Sequence, residues 1–411
     1  MQNLVLHLDG DAFFVGCELT RRPDLRGLPV VTGAERGIAS AMSYEAKRLG
    51  VTRGYPIFKL RKDFPQVVVL PGDYELYEQY ANRMYTIVRR FSNRVEEYSI
   101  DECFAQLRQG SAGQASHEIA REVKSTLARE LGMTFSVGVA PTKVLAKLAS
   151  KRDKPNGLVC TNYDNFAHEL YGMDLGKVWG IGARSLPLMR ALGVVTVGDF
   201  ANQSESWMRG NWNVNFLDLW HELRGEQVYK VSEGNIAKHL SIQKTRTFSP
   251  ATNDPSVLMG QLAKNIENAF GYARSLNLSA SEAQIFIKTE KFGYQVTEFK
   301  FLNPIQTPEL LLDQVRKVLP SLIRKNEKYR ATGVVLKASP LARGLALGPR
   351  DLFGNHLVES SRLAVHQVAD RLYDKYGGRV LTLGSALTAR NMHHTQSART
   401  HLGLPYLGEV C

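Results

Sequence analysis

Two adjacent carboxylates, Asp101 and Glu102, constrain the fold of this chain more than any other feature. They lie between two strand-like runs, at about 95–99 and 103–107. Neighbouring acids at a strand end repel each other, and they are stable together mainly in water or around a hard cation such as Mg2+. Taken alone, the pair indicates either a charged hairpin tip or a metal site. A third acid, Asp9, ends another strand-like run near the N-terminus and favours the metal site.

The order of the elements predicts an α+β sheet with helices on one face. Apolar residues at every second position predict strands, and those at every third and fourth position predict helices. The predicted strands cover about 4–8, 95–99, 103–107 and 134–139, and the predicted helices cover about 12–20, 77–91 and 114–131. The strand ends that carry Asp9 and Asp101 could then meet at one end of the sheet.

The rest of the chain changes character twice. After the sheet the pattern is helical, and Gly180 and Gly182 lie in a turn that resembles a helix-hairpin-helix. Such glycines allow backbone N–H groups to approach a DNA phosphate. The polar residues 231–240 predict a linker, strands and helices alternate again over 241–340, and a last helix is predicted at about 358–374.

The chain is basic, and the excess of positive charge is concentrated. Lys and Arg number 52 against 40 Asp and Glu, a net charge of +12 over 411 residues. Residues 241–343 alone hold 15 basic and 8 acidic residues, a net charge of +7. Such a local excess predicts a polyanionic partner, most often nucleic acid.

Several classes of protein are not expected. No apolar run approaches the roughly 20 residues of a membrane span, and Met1 leads into a strand-like run without the charged start of a signal peptide. The cysteines Cys17, Cys103, Cys160 and Cys411 lie far apart, which fits reduced thiols and no zinc site. We therefore expect a cytoplasmic protein with no membrane partner.

The three acids could hold two divalent cations. Two ions bound by Asp9, Asp101 and Glu102 could align a 3′-hydroxyl with a triphosphate and stabilise the leaving pyrophosphate. Mg2+ fits because it takes oxygen ligands and keeps places for phosphate and water. The backbone carbonyl of Gly10 is a further candidate ligand, whereas Asp11 could equally cap the helix that follows.

Side chains that could bind a nucleotide follow the first acid and recur later. Phe13 and Phe14 come just past Asp9, and a bulky ring at Phe14 would exclude a 2′-hydroxyl; two core phenylalanines are the alternative. Tyr44 and Lys47 share one helix face, from which both can donate to triphosphate oxygens. A solvated charged face is the alternative for this second pair.

A basic stripe follows the last predicted strand of the sheet. Lys143, Lys147 and Lys151 recur every four residues opposite an apolar face, a pattern that suits a DNA backbone. An ordinary amphipathic helix with a wet face is the alternative. Lys154 precedes a Pro-Asn-Gly turn that would fix it, which suits contact with a single phosphate.

The order of these motifs resembles that of the Y-family translesion DNA polymerases. The resemblance runs from residue 4 to about 340 and is carried by residues 8–14, 44–51, 98–102, 143–157 and 179–182. The Ser-Ile-Asp-Glu element with the early Asp is its most specific part. Residues 74–77, 178–182 and 222–226 look most like the UmuC branch, whereas 154–157 is more similar to the DinB branch.

The resemblance implies a right-hand polymerase and assigns roles to its residues. The implied domains are palm (1–10 and 73–170), fingers (11–72), thumb with helix-hairpin-helix (171–230), linker (231–240), little finger (241–340) and a C-terminal tail (341–411). Asp9, Asp101 and Glu102 would bind two Mg2+ ions, Phe14 would be the steric gate, and three side chains would hold the triphosphate: Tyr44, Lys47 and Lys154. Many family members carry Arg in place of Lys47. Arg can contact a phosphate through two N–H groups at once, whereas Lys cannot.

The implied activity is error-prone addition of dNTPs to a primer 3′-hydroxyl opposite damaged template, in DNA repair and the SOS response. The implied partners are primer-template DNA, a UmuD-like dimer and a RecA-type filament. Leu352 and Phe353 occupy the place of a sliding-clamp peptide, although its leading Gln is missing. The rival functions are a nucleotidyl cyclase, which can share such a sheet and acids, and a DNA-binding scaffold without catalysis.

Overall fold

A computed structural model describes residues 3–107, 113–232, 241–340, 355–376, 381 and 383–391. The chain forms two compact units, whose described parts cover residues 3–232 and 241–391. The predicted clamp residues Leu352 and Phe353 and most of the predicted linker lie outside the described residues. Within the described ranges, every helix is too short or too polar to cross a bilayer.

The first unit contains two sheets. Its strands are β1 (Leu4–Gly10), β2 (Val30–Thr32), β3 (Ala41–Met42), β4 (Val68–Leu70), β5 (Val95–Ser99), β6 (Glu102–Leu107), β7 (Phe135–Ala140) and β8 (Leu158–Cys160). The larger sheet has the order β5-β6-β1-β7-β8, and the smaller one has the order β3-β2-β4. In the larger sheet β1 is antiparallel to both neighbours, and only β7 and β8 run parallel. The central place of β1 explains why its whole length is buried.

Helices cover the larger sheet on both faces. They are α1 (Phe13–Arg21), α2 (Tyr44–Arg48), α3 (Ile57–Asp63), α4 (Tyr74–Val88), α5 (Gly113–Leu131), α6 (Lys143–Arg152), α7 (Phe166–Leu170), α8 (Leu186–Ala191), α9 (Val197–Ala201), α10 (Glu205–Asn211) and α11 (Val214–Leu223), with 3-10 turns at Pro23–Leu25, Ala34–Arg36 and Leu175–Lys177. Leu4, Leu6 and Leu8 pack with α4 and α5, whereas Val5 packs with α6 on the other face. The prediction of helices on one face is therefore wrong, because β1 alternates between two apolar layers.

A buried glutamate joins α6 to the short helices beyond it. Glu222 of α11 accepts a hydrogen bond from the Val144 N–H at 3.1 Å and from the Val228 and Tyr229 N–H groups at 2.7 Å each. Thr142 caps α6 and also donates to the Glu222 carbonyl at 2.9 Å. Three hydrogen bonds thus satisfy the carboxylate, and a fourth satisfies the backbone carbonyl, in an environment where an unpaired carboxylate would be costly.

The end of the first unit is fastened to the larger sheet. Glu96 on β5 accepts from the Ser232 N–H at 2.9 Å and from Lys143 Nζ at 2.6 Å. The Val231 side chain is buried as well. The first two residues of the predicted linker are therefore packed parts of the first unit.

The second unit is one antiparallel sheet packed on helices. It contains β9 (Ser241–Thr252), α12 (Pro255–Ser275), β10 (Leu278–Thr289), β11 (Tyr294–Ile305), α13 (Glu309–Leu322), β12 (Tyr329–Pro340), α14 (Asn355–Tyr376) and a 3-10 helix, Gly384–Asn391. The strand order is β11-β10-β12-β9. Two polar contacts hold α14 to this unit: Arg274 pairs with Asp370 at 2.7 and 2.9 Å, and His366 Nε2 lies 2.7 Å from Glu309.

Candidate active site

A cavity of about 420 Å3 opens beside the end of β1. It combines acids of the larger sheet with aromatic, hydroxyl and basic side chains from residues 12–53 and with Lys154. Its lining residues are Asp9, Gly10, Ala12, Phe13, Phe14, Ser40, Ala41, Met42, Tyr44, Lys47, Thr52, Arg53, Asp101 and Lys154. Most of the residues that the sequence assigns to a metal and a nucleotide thus meet in one place.

Strand pairing brings the three acids to one sheet edge. Asp9 and Glu102 are register partners across β1 and β6, and the Gly10 N–H donates to the Asp101 carbonyl at 2.9 Å. The Asp101 carboxylate accepts from Ser99 Oγ at 2.7 Å. A side chain on Gly10 would lie 2.6 Å from the Phe13 ring, so glycine is needed where these strands meet.

Two lysines neutralise acids at this edge. Lys154 Nζ contacts Asp9 Oδ1, and Lys147 Nζ lies 2.6 Å from Glu102 Oε2. Burial raises the pKa of Asp9 to about 6; the Lys154 charge opposes this rise and Glu102 adds to it. The raised pKa of Asp9 thus reflects mainly the cost of burying a carboxylate, which a bound cation would reduce.

The donor set fits a hard divalent cation, but Asp9 and Glu102 contact lysines and Asp101 contacts Ser99. Across the described ranges, no three acidic, histidine or cysteine side chains converge closely enough to hold an ion by themselves. Asp9, Asp101 and Glu102 supply the carboxylate oxygens that Mg2+ prefers. An ion bound at Asp9 would have to replace the Lys154 ammonium, so lysine and metal are alternatives there.

Two lysines of the basic stripe, Lys143 and Lys147, are buried rather than exposed to solvent. Lys143 is 5% exposed and Lys147 is 7% exposed, because α6 is covered on every side. Lys143 pairs with Glu96, and Lys147 lies over the Tyr98 ring at 4.4 Å as well as against Glu102. Both side chains are held in buried ion pairs here, and their DNA contact stays a prediction.

The third residue of the stripe is only partly enclosed. Lys151 donates to the Lys177 carbonyl at 3.0 Å, and burial lowers its pKa. Its predicted DNA contact stays a prediction.

The turn that follows α6 positions Lys154. Asp11 accepts from the Asn156 N–H at 2.7 Å and from Ser136 Oγ at 2.8 Å. Asp11 does not cap α1: the N-cap is Ala12, which has a φ of 48° and no side-chain cap. The carboxylate is needed for the turn instead, since it fixes the backbone beside Lys154.

Tyr44 and Lys47 face the cavity together, as their spacing predicts. Lys47 Nζ lies 4.0 Å from the centre of the Tyr44 ring. Burial lowers the pKa of Lys47, with a contribution from the Lys154 charge, and burial raises the pKa of Tyr44. An anion between Lys47 and Lys154 would relieve their mutual repulsion, which makes this wall suitable for phosphate.

The remaining polar wall of the cavity consists of residues outside the sequence motifs. Ser40, Thr52 and Arg53 line it, and Arg53 Nε donates to the Ser40 carbonyl at 2.9 Å. Arg53 follows the 44–51 motif by two residues. A positive charge so close to Tyr44 and Lys47 could have indicated a further phosphate contact. The guanidinium adds a third cation to the wall that holds Lys47 and Lys154.

The two phenylalanines have different environments. Phe13 is 3% exposed and packs in the main core, as the alternative for this pair predicts, so only a small part of it borders the cavity. Phe14 is half-buried and presents one side to the cavity. Its ring stacks on Tyr77 with centroids 4.3 Å apart.

The Gly180 and Gly182 turn lies away from this cavity. Gly180 has a φ of 93°, and a side chain there would meet Leu219 at 2.9 Å, so local packing already requires glycine. The Gly182 N–H donates to Ser185 Oγ at 3.2 Å. Their DNA contact stays a prediction.

Family models match two parts of the chain. The impB/mucB/samB family matches residues 8–151, and the impB/mucB/samB family C-terminal domain matches residues 239–341. The chain is 33% identical over 295 residues to DNA polymerase IV of Methanoculleus marisnigri, covering 70% of this chain and 81% of that one. It is 30% identical to Protein UmuC of Salmonella typhimurium, covering 90% of each. Both branch names thus occur among the relatives at similar identity.

Solved structures agree on the fold. The Y-family DNA polymerase chimera Dbh-Dpo4(243-245)-Dbh matches with a TM-score of 0.70 at 23% identity, over 81% of this chain and 98% of that one. The insertion ternary complex of Dbh DNA polymerase matches with a TM-score of 0.56 at 24% identity, over 82% of this chain and 100% of that one. The predicted α+β multidomain polymerase fold is confirmed. Sequence and fold together show that this chain belongs to the Y family of DNA polymerases.

Proposed function

We propose that this protein is a template-directed DNA polymerase that adds dNTPs to a primer 3′-hydroxyl, including opposite damaged template bases. The observation that carries the proposal is the single cavity in which Asp9 and Asp101 face Tyr44, Lys47 and Lys154. Acids on one side suit cations that activate a hydroxyl, and cations on the other side suit a triphosphate.

Different side chains around the cavity contact the triphosphate, the sugar and the base of the nucleotide. Lys47, Lys154 and Arg53 neutralise the triphosphate, and the Tyr44 hydroxyl donates to it. Phe14 lies against the sugar and excludes a 2′-hydroxyl by contact. Met42 and Ala41 line the same cavity and supply an apolar surface for the base.

Asp9, Asp101 and Glu102 would hold Mg2+, with the Gly10 carbonyl as a further oxygen donor. Two bound ions would activate the attacking oxygen and neutralise the leaving pyrophosphate. Lys154 contacts Asp9 in the free protein, and an arriving triphosphate offers it a second anionic partner. We infer that Lys154 moves from the carboxylate to the phosphate as the nucleotide binds, which frees Asp9.

The family roles of the domains are part of the proposal. Palm (1–10 and 73–170), fingers (11–72) and thumb (171–230) lie in the first unit, and the little finger (241–340) lies in the second. The net charge of +7 over 241–343 suits a grip on primer-template DNA. A UmuD-like dimer, a RecA-type filament and a sliding clamp are partners that the family suggests.

Primer extension on undamaged and lesion-containing templates tests the function. The native chain should extend both primers in the presence of dNTPs and Mg2+, whereas the Asp101→Ala, Glu102→Ala double variant should extend neither. Extension that persists in the double variant would remove the acids from the active site. DNA binding without extension by the native chain would favour the scaffold, and cyclisation of a nucleoside triphosphate without DNA would favour the cyclase.

A further inference from the structure

The ring of Phe14 is supported from behind by two tyrosines of α4. It lies parallel to the Tyr77 ring, with centroids 4.3 Å apart and an interplanar angle of 10°. Tyr74 meets Phe14 edge-on at 5.6 Å and Tyr77 edge-on at 5.4 Å. Because the cluster is closely packed, Phe14 cannot move back from the cavity unless Tyr77 moves as well.

A buried carboxylate fixes the far end of Tyr77. The Tyr77 hydroxyl donates to Glu18 Oε1 at 2.8 Å, and Tyr77 is 0% exposed while Glu18 is 7% exposed. Burial raises the pKa of Glu18, and the hydrogen bond from Tyr77 is the strongest opposing influence. A hydrogen bond to a charged group in such a place is stronger than one between neutral groups.

One face of α1 carries both the ring and its support. Phe14, Glu18 and Arg21 are spaced by four and three residues, so they share a side of the helix. Arg21 pairs at 3.0 Å with Asp73, whose side chain caps α4. The start of α4 is therefore fixed by the same face of α1 that presents Phe14 to the cavity.

We propose that Glu18 is a positioning residue for sugar selection, which acts through Tyr77 on Phe14. This inference rests on the proposed polymerase function. Steric exclusion of a 2′-hydroxyl works only while the excluding ring stays in place, since a shift of about 1 Å would admit the extra oxygen. Glu18 limits that shift without touching the nucleotide.

Tyr77→Phe tests the proposal with the aromatic stack preserved. The change removes only the hydroxyl, and the preference for dNTP over NTP should fall about tenfold, the effect of one hydrogen bond to a charged group. We expect kcat/KM for NTP to rise while kcat/KM for dNTP changes by less than about twofold. Single-nucleotide incorporation with each substrate measures both values.

Tyr80→Phe is a matched control from the same helix. The Tyr80 hydroxyl also crosses from α4 to α1, where it donates to Thr20 Oγ1 at 2.8 Å, and Tyr80 is 6% exposed. It makes no ring contact with Phe14 among the described residues. Tyr80→Phe should therefore lower the unfolding temperature as Tyr77→Phe does and leave the sugar preference unchanged. An equal loss of preference in both variants would mean general loosening and would overturn the proposal.

Variants of Glu18 provide the conservative rescue. Glu18→Gln keeps an oxygen that can accept from Tyr77, whereas Glu18→Ala removes it, so the preference should fall less in Glu18→Gln. If Glu18→Ala does not fold, Tyr77→Phe and Glu18→Gln still decide the outcome. A native preference in Tyr77→Phe would exclude the role of Glu18.

Failure of this inference can be told from failure of the proposed function. Phe14→Ala should lower the preference for dNTP more than Tyr77→Phe does. If Phe14→Ala has no effect, the gate itself is wrong. If Phe14→Ala relaxes the preference and Tyr77→Phe does not, only the role of Glu18 is wrong. Absence of any incorporation by the native chain would refute the polymerase proposal and, with it, the role of Glu18 in sugar selection.

Discussion

Helix α6 and the cavity wall both carry lysines close to the acids of the larger sheet, but in different environments. Lys143 and Lys147 are 5% and 7% exposed, and each pairs with a glutamate at 2.6 Å. Lys47 and Lys154 line a cavity of about 420 Å3, where Lys47 is exposed and Lys154 is half-buried. A buried pair cannot exchange partners without leaving a charge unpaired, whereas a cavity lysine has room for phosphate. Burial, rather than spacing, therefore separates the structural cations from those that can bind a ligand.

The largest effect is expected at Asp101, which lines the cavity together with Lys47 and Lys154. Asp101→Asn keeps an oxygen that can accept from Ser99 but loses the charge, so nucleotide incorporation should fall about a thousandfold. Pre-steady-state incorporation measures the rate, and a fluorescence titration checks that primer-template DNA still binds. A fall of less than tenfold would remove Asp101 from the active site, and the cavity lysines would then border no reacting atom.

Breaking the buried pair should cost stability. Lys147→Met leaves Glu102 without its partner, so the free energy of unfolding should fall by about 3–5 kcal/mol. Urea unfolding measures it. The control is Lys147→Met combined with Glu102→Gln, which removes both charges and should recover most of the loss. If the single variant is as stable as the native chain, the distinction between the two environments fails.

Lys154→Met should instead change nucleotide binding. The KM for dNTP should rise about thirtyfold, the value of one charge-assisted contact to phosphate. Without nucleotide, Mn2+ should bind the variant more tightly, because no ammonium competes at Asp9. Electron paramagnetic resonance of Mn2+ measures this second effect, which does not depend on activity. Unchanged Mn2+ affinity would contradict the exchange of Lys154 between Asp9 and the triphosphate.

The smallest effect is expected from Lys47→Arg. A guanidinium can make two parallel contacts where an ammonium makes one, so the KM for dNTP should fall about threefold. Arg48→Lys is the matched control on the same helix: Arg48 pairs at 3.1 Å with Glu45 and does not line the cavity. A rise in KM for Lys47→Arg would mean that the cavity is fitted to the smaller cation.

Local sequence pattern predicted the strand ends well and the exposure of side chains poorly. Asp9 and Asp101 could be placed at one sheet edge because each follows a short apolar run, and pairing of β1 with β6 brings them there. The burial of Lys147 could not be predicted, because its partner Glu102 is 45 residues away. The support of Phe14 by Tyr77 likewise depends on the packing of α1 against α4. The spacing of apolar residues within one helix does not predict which other helix it packs against.

The Ser232–Glu96 hydrogen bond has a mechanical consequence. Ser232 is the last described residue of the first unit; its N–H donates to Glu96 at 2.9 Å, and Glu96 is also paired with Lys143. A pull along the chain at this point is therefore borne by a strand next to the acids and by α6, rather than by a free tether. A force applied at Ser232 would therefore act directly on β5, the strand that pairs with β6 beside Glu102.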